Sequence, residues 1–324
     1  MNYDGSDKPD WAYSDYVLVS RLDSSERGRL FFLENLEHNY SILNRFSNDD
    51  ILIVSIGAYF ALWNFNMAKL CINFVNPNFN LKNVYWLANT LEQVDHAVSE
   101  GFNAIYCNQN AFINEDVFNI QDTEKKYDLV MNIRPEIVKR PWLAMKNTNI
   151  AIIQGINYSK VNFWDLNQLH PVYMNQQRIS KDEVVMVLNS SYVGGMFSEK
   201  EGACFASSEY LLCGLPVVST ASQGGRDIWY NDYNSMIVEP HEDAVLEGTK
   251  LLVSRVKEKK ILPQEIRQQH LELSYQHRAR LIELLGLMAD RLNLKDDPVD
   301  IMNIIRTKWA PKVSLSDVDA VLFS

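Results

Sequence analysis

The segment Ser198-Glu-Lys-Glu-Gly-Ala-Cys-Phe-Ala-Ser-Ser-Glu-Tyr-Leu-Leu-Cys-Gly-Leu-Pro-Val-Val-Ser-Thr220 sets two carboxylates, Glu201 and Glu209, around a junction where a loop enters a helix and a strand follows. Residues 205–213 read as a short helix, Gly214 as its left-handed C-terminal cap, and Pro216 as the residue that prevents it continuing. The N-terminus of that helix is then free to face a ligand. Backbone N–H groups and the positive end of the helix dipole favour an anion there, and a diphosphate is the common biological one.

Working outward, short β-rich runs alternate with amphipathic segments, which predicts an α/β fold of parallel sheets linked by helices. Strands are expected over 16–22, 51–56, 70–75, 83–87 and 103–107, with helices over 26–46 and 90–100. A second strand set is expected over 127–133, 149–154, 171–175, 192–197, 215–220 and 235–238. The polar run Asn119-Ile-Gln-Asp-Thr-Glu-Lys-Lys126 separates the two sets and reads as a linker beside a cleft. Helices are expected over 243–258 and 263–292, where apolar residues recur at helical spacing. The predicted domains are 1–118, on the acceptor side, and 127–295, on the nucleotide side. A helical tail over 296–324 is expected to cross back to the first domain.

With 324 residues and 47% hydrophobic content, the chain can bury a core in each of two domains. A formal net charge of −10 argues against a general electrostatic grip on nucleic acid. Cys71, Cys107, Cys204 and Cys213 lack metal-ligand spacing and read as reduced, mostly buried thiols. Residues 1–11 lack the basic start and apolar core of a secretory signal. The expectation is a cytoplasmic protein, able to touch a membrane surface peripherally.

Paired carboxylates can serve a hydrolase, but eight helical positions between Glu201 and Glu209 would cover roughly 12 Å, against about 5 to 9.5 Å for a glycosidase pair. Different ends of a long ligand suit them better. Arg134-Pro-Glu-Ile-Val-Lys139 places two cations just beyond a strand end, where open α/β sheets bind ligands; Arg140 competes for the role. Gly224-Gly225 can bring bare backbone close to a ligand, or can simply turn the chain. Ser198 is placed either to hold phosphate or to orient Glu201.

The pattern Glu201, seven residues, Glu209, then Gly214-Leu-Pro-Val-Val218 and Gly224-Gly225, resembles the donor site of retaining glycosyltransferases of family 4. The resemblance covers about 127–240, with weaker echoes over 101–118. It implies two Rossmann-like domains of the GT-B type, and a nucleotide diphosphate-sugar as donor substrate with no separate cofactor. It further implies transfer of the sugar with retained configuration to a carbohydrate or lipid-linked acceptor, as in polysaccharide biosynthesis. By the same resemblance Glu201 contacts hydroxyls of the transferred sugar and Glu209 the nucleotide ribose. Arg134 and Lys139 would neutralise the diphosphate in a metal-independent site. The loop 202–205 (Gly202, Ala203, Cys204, Phe205) would line the donor, and residues 175–180 would hold the base.

Two departures stand out. Ala203-Cys204 occupies the place of a second glycine after Glu-Gly, and no glycine-rich loop is found near the chain start, where Gly57 is the nearest substitute. The competing readings are a nucleotide-sugar epimerase or hydrolase on the same scaffold, and a non-catalytic sugar-nucleotide-binding subunit.

Overall fold

The computed structural model of the chain describes residues 16–56, 63–155, 162–308 and 311–323. The readings placed on 1–11 and on Gly57 fall outside them. Contacts divide the described residues into two units, one running to Phe112 and resuming at Gln276, the other spanning Ile113–Tyr275. The segment 119–126 lies inside the second unit: the Gln121 N–H donates to Asn189 Oδ1 at 2.8 Å, and Lys125 Nζ to the Ser191 carbonyl at 2.7 Å. The divisions thus fall at 112/113 and, within a long helix, at 275/276.

The first unit comprises β1 (Tyr16–Ser25), β2 (Gly28–Glu34), β3 (Ile51–Ser55), α1 (Trp63–Val75), β4 (Val84–Ala88), α2 (Leu91–Ser99) and β5 (Asn103–Tyr106). Neighbouring residues on β2 and β3, such as Phe31 and Phe32 or Leu52 and Ile53, are all buried, so both faces of this sheet are covered.

Two expectations fail here. Residues 26–46 form a hairpin strand and a 3-10 turn (Glu37–Arg45) instead of a helix. The run Leu30-Phe-Phe-Leu33 is apolar on consecutive positions, which suits a strand buried on both faces and not a one-sided helix. Gly28, at φ +142°, sits where an added Cβ would lie 1.9 Å from the Asp49 carbonyl oxygen, so only glycine fits the turn. Residues 70–75 form the end of α1 instead of a strand. Phe65, Ala68 and Ile72 face inward at helical spacing, while Leu70 and Phe74 face out.

The second unit comprises β6 (Tyr127–Ile133), β7 (Ile150–Gln154), β8 (Tyr173–Met174), α3 (Lys181–Asn189), β9 (Ser191–Met196), α4 (Phe205–Leu212), β10 (Val217–Thr220), β11 (Ser235–Val238) and α5 (Glu242–Lys257). Helix α3 carries a full capping box between Ser180 and Glu183, a local signature that marks its start. All pairings in this sheet are parallel, in the order β11-β10-β9-β6-β7-β8. Counting from β6, that is the doubly wound arrangement in which the winding direction reverses once, between β6 and β9.

Helix α6 (Pro263–Leu292) begins in the second unit, and its residues from Gln276 belong to the first. The helix α7 (Pro298–Lys308), strand β12 (Lys312–Ser314) and helix α8 (Val318–Phe323) also belong to the first unit. There β12 pairs antiparallel with β1 and completes the sheet order β12-β1-β2-β3-β4-β5.

Candidate functional site

Ligands of open α/β sheets bind beyond the C-terminal strand ends at the reversal point. In the second unit those ends are Ile133 of β6 and Met196 of β9, and the loops leaving them meet. After β6 the chain passes Arg134 and Pro135 into a 3-10 turn, Ile137–Lys139, then into Arg140 at φ 47°. After β9 it passes Ser198 and the acidic loop into α4. Lys139 Nζ donates to Glu201 Oε1, joining the two loops. Only 12% of either side chain is exposed, so the pair interacts in a medium that strengthens it and each charge depends on the other.

Glu201 has further support. Its Oε1 accepts a 2.8 Å hydrogen bond from Ser198 Oγ. Its backbone N–H donates to the Gln223 carbonyl at 3.0 Å, while the Gln223 N–H donates to Glu199 O at 2.9 Å. These bonds zip the acidic loop to the loop after β10, where Gly224 and Gly225 both take φ 111°. That double left-handed turn is open to glycine and to few other residues.

Helix α4 is anchored from beneath. The Asn132 N–H on β6 donates to the Tyr210 hydroxyl at 2.6 Å, and Asn132 Nδ2 donates to Glu209 Oε2 at 2.8 Å. Tyr210 fits because Gly194 on β9 leaves room: an added Cβ would lie 2.3 Å from Tyr210 Cδ2. Gly214 ends the helix at φ +74°, with Pro263 Cβ 2.5 Å from where its own Cβ would be. Half-buried Glu209 has its carboxyl pushed up to about 7 by loss of water, against the lowering effects of the Asn132 hydrogen bond and the Lys181 charge.

The expected residues separate by exposure. Arg134 keeps 57% of its side chain exposed and pairs with Glu136 at 3.2 Å, so its guanidinium stands at the surface. Gly202 and Ala203 are buried, Cys204 is half-buried and Phe205 exposed. Cys204 takes φ 59°, the conformation a glycine adopts freely, and burial pushes its thiol up to about 12. In the 175–180 loop, Asn175 and Gln154 hold one another through three hydrogen bonds between the ends of β7 and β8.

Arg140, the competing cation, and Arg226, which the sequence did not point to, complete the network. Arg140 reaches Phe197 O through Nε and Thr220 Oγ1 through Nη2, the latter at 2.8 Å. Arg226 is fully buried and bonded to the ends of β9 and β10. An arginine between glycine and aspartate reads as an exposed turn, so only the adjoining glycine pair could have drawn attention to it.

No family model and no curated protein sequence matches the chain. Among solved structures it is similar to sucrose-phosphate synthase from Thermosynechococcus elongatus, with TM-score 0.57 and 12% identity over 80% of this chain and 74% of that one. It is similar to TarM, with TM-score 0.53 and 14% identity over 80% of this chain, and spans 54% of TarM. It is also similar to HepE from Anabaena in complex with UDP-glucose, with TM-score 0.52 and 12% identity over 85% of this chain and 77% of that one. These likenesses show the fold: two Rossmann-like α/β units with a helical C-terminal part, of the GT-B type.

Proposed function

We propose that this chain is a glycosyltransferase that takes a sugar from a nucleotide diphosphate donor and passes it, with retained configuration, to a carbohydrate or lipid-linked acceptor. The observation that carries the reading is the Lys139–Glu201 contact at the reversal point of the second sheet. It joins a cation suited to phosphate and a carboxylate suited to sugar hydroxyls where such sheets bind nucleotides. The family 4 resemblance of 127–240 and the UDP-glucose held by HepE support the same donor class.

In this reading Glu209 accepts from the nucleotide ribose and Glu201 from hydroxyls of the sugar. Lys139 and Arg134 face the diphosphate together with the N-terminus of α4. The bond from the anomeric carbon to the diphosphate oxygen breaks, its electron pair leaves with the diphosphate, and the two cations stabilise that charge. The acceptor oxygen forms the new bond on the same face. Its proton passes to an oxygen of the departing phosphate, so no side-chain nucleophile takes part. Two cations and a helix end supply the charge stabilisation that a divalent ion gives elsewhere, so turnover is expected to survive a strong chelator. Among the described residues no helix is long and apolar enough to cross a membrane, and a peripheral contact remains compatible with a lipid-linked acceptor.

Incubation with nucleotide sugars of different bases, alone and with candidate acceptors, followed by product analysis, tests the proposal. A glycosylated acceptor with the donor's anomeric configuration is expected. Free or epimerised sugar as the main product would move the function to a hydrolase or epimerase, and an inverted product would overturn retention.

A further inference from the structure

Among the described residues, Arg226 is the one arginine in the set of largest fully buried side chains, and its guanidinium is fully engaged. Nε donates to Asp227 Oδ1 at 2.9 Å, Nη1 to Ser198 O at 3.1 Å and Ser198 Oγ at 3.3 Å, and Nη2 to Ser219 Oγ at 2.9 Å and to Thr220 O. A cation withdrawn from water is retained when its donors are met this completely. Its partners lie at the ends of β9 and β10, the two strands whose following loops carry Glu201 and Gly224-Gly225.

The contact with Ser198 has a directional consequence. A serine hydroxyl has one proton. With Arg226 donating to Ser198 Oγ, that oxygen acts as acceptor on one side, and its proton is directed to Glu201 Oε1 at 2.8 Å. We infer that Arg226 is a positioning residue for the transfer reaction, fixing Ser198 so that Glu201 keeps its place while Lys139 turns to the donor. This rests on the reading of Glu201 as the group that contacts the transferred sugar. A diphosphate competes with Glu201 for Lys139, and once Lys139 is shared, the Arg226–Ser198 relay is the remaining side-chain support of the carboxylate. Arg226 therefore never touches substrate and acts through two bonds.

The test is a double-mutant cycle of Arg226→Lys and Ser198→Ala, reading kcat, KM and donor affinity together. A sugar held out of place by a shifted Glu201 reduces turnover by about 10- to 100-fold, so each single variant is expected to lose at least tenfold in kcat with donor affinity within about threefold. The double variant is expected to be no worse than the poorer single, because both break one relay. Full kcat in Arg226→Lys, or losses that multiply in the double variant, would overturn the inference. Should Arg226→Lys not fold, Asp227→Asn takes its place, since it keeps the guanidinium and loosens its anchor. Absence of sugar transfer by the wild-type chain would defeat the functional reading itself. Independently of any substrate, a crystal structure of Arg226→Lys that preserves the Ser198–Glu201 contact would defeat the relay, and loss of that contact would support it.

Discussion

The two sheets are built from the same alternation of strands and helices but are wound differently. In the first unit the parallel strands β2, β3, β4 and β5 lie side by side in chain order, without reversal. In the second the order reverses between β6 and β9. The strand ends differ in the same sense. Those of β4 and β5 carry neutral, buried carboxamides: the Asn89 N–H donates to Gln93 Oε1 at 2.8 Å, Asn89 Oδ1 accepts from the Gln109 N–H at 3.1 Å, and Asn108 Oδ1 accepts from the Asn110 N–H at 3.0 Å. Those of β6, β9 and β10 carry the Lys139–Glu201 ion pair, beside which Arg140 and Arg226 donate to backbone carbonyl and hydroxyl oxygens. Arg280 also reaches the end of β5, donating to the Tyr106 carbonyl at 3.4 Å, but the paired lysine and carboxylate lie where the winding reverses. The carboxamides of the first unit lock backbone to backbone.

The sharpest way to break this contrast is substitution on both sides of it. Glu201→Gln and Lys139→Met are expected to lower turnover about 100-fold or more, the scale of losing one preorganised charged contact. Asn108→Ala, in the first unit, is expected to cost about 1–3 kcal/mol of stability through its lost buried bonds from the Asn110 N–H and to the Asn89 carbonyl. Turnover per folded molecule should change little. Kinetics beside denaturant unfolding read both, and an equal loss of turnover from Asn108→Ala would erase the distinction between the units.

A smaller effect separates two glycines. Gly194→Ala must push Tyr210 aside and is expected to destabilise by about 1–3 kcal/mol while weakening donor binding through displaced α4. Gly286, on the part of α6 belonging to the first unit, has no atom within 4 Å of where a Cβ would stand, so Gly286→Ala is expected to stabilise by about 0.5–1 kcal/mol. Chemical denaturation checks both signs.

Two pH dependences of opposite slope separate the units again. His277 in the first unit is held down to about 4, first by burial and then by the Arg280 charge. The unfolded chain therefore binds the extra proton before the folded one does, and this contribution to stability is lost as pH falls from about 6.5 towards 4. Glu209 in the second unit is raised to about 7 by burial, so the folded state holds its proton longer. Its contribution declines as pH rises from about 4.5 to 7 and is level above that. His277→Gln is expected to flatten the first slope and Glu209→Gln the second, in unfolding midpoints measured across pH. Unchanged slopes would remove the proposed difference in proton binding.

Much of the second unit was legible in the sequence because its signals are local. Gly214 and Pro216 bound α4, and apolar runs between turn residues mark its strands. The first unit was harder. Leu30-Phe-Phe-Leu33 is a strand because a sheet covers both its faces, and Leu70–Val75 is helix because Phe65 and Ala68 share its buried side; both facts depend on tertiary partners. In the site, Glu201, Glu209 and Lys139 stood out by residue type and spacing. Arg226 did not, since its meaning comes from strand ends whose adjacency only β9–β10 pairing creates.

The most direct test of the second unit as a donor site is calorimetric titration of the wild type, Glu209→Ala and Glu201→Ala with a nucleotide sugar and the matching free nucleoside diphosphate at pH 8. The wild type is expected to bind both, and Glu209→Ala to weaken both by about tenfold or more through loss of hydrogen bonds to a charged group. Glu201→Ala is expected to leave the free diphosphate nearly unchanged and to weaken the nucleotide sugar by no more than about threefold, its chief loss falling on turnover. Binding indifferent to Glu209, or no binding across a panel of bases, would contradict the donor-site reading.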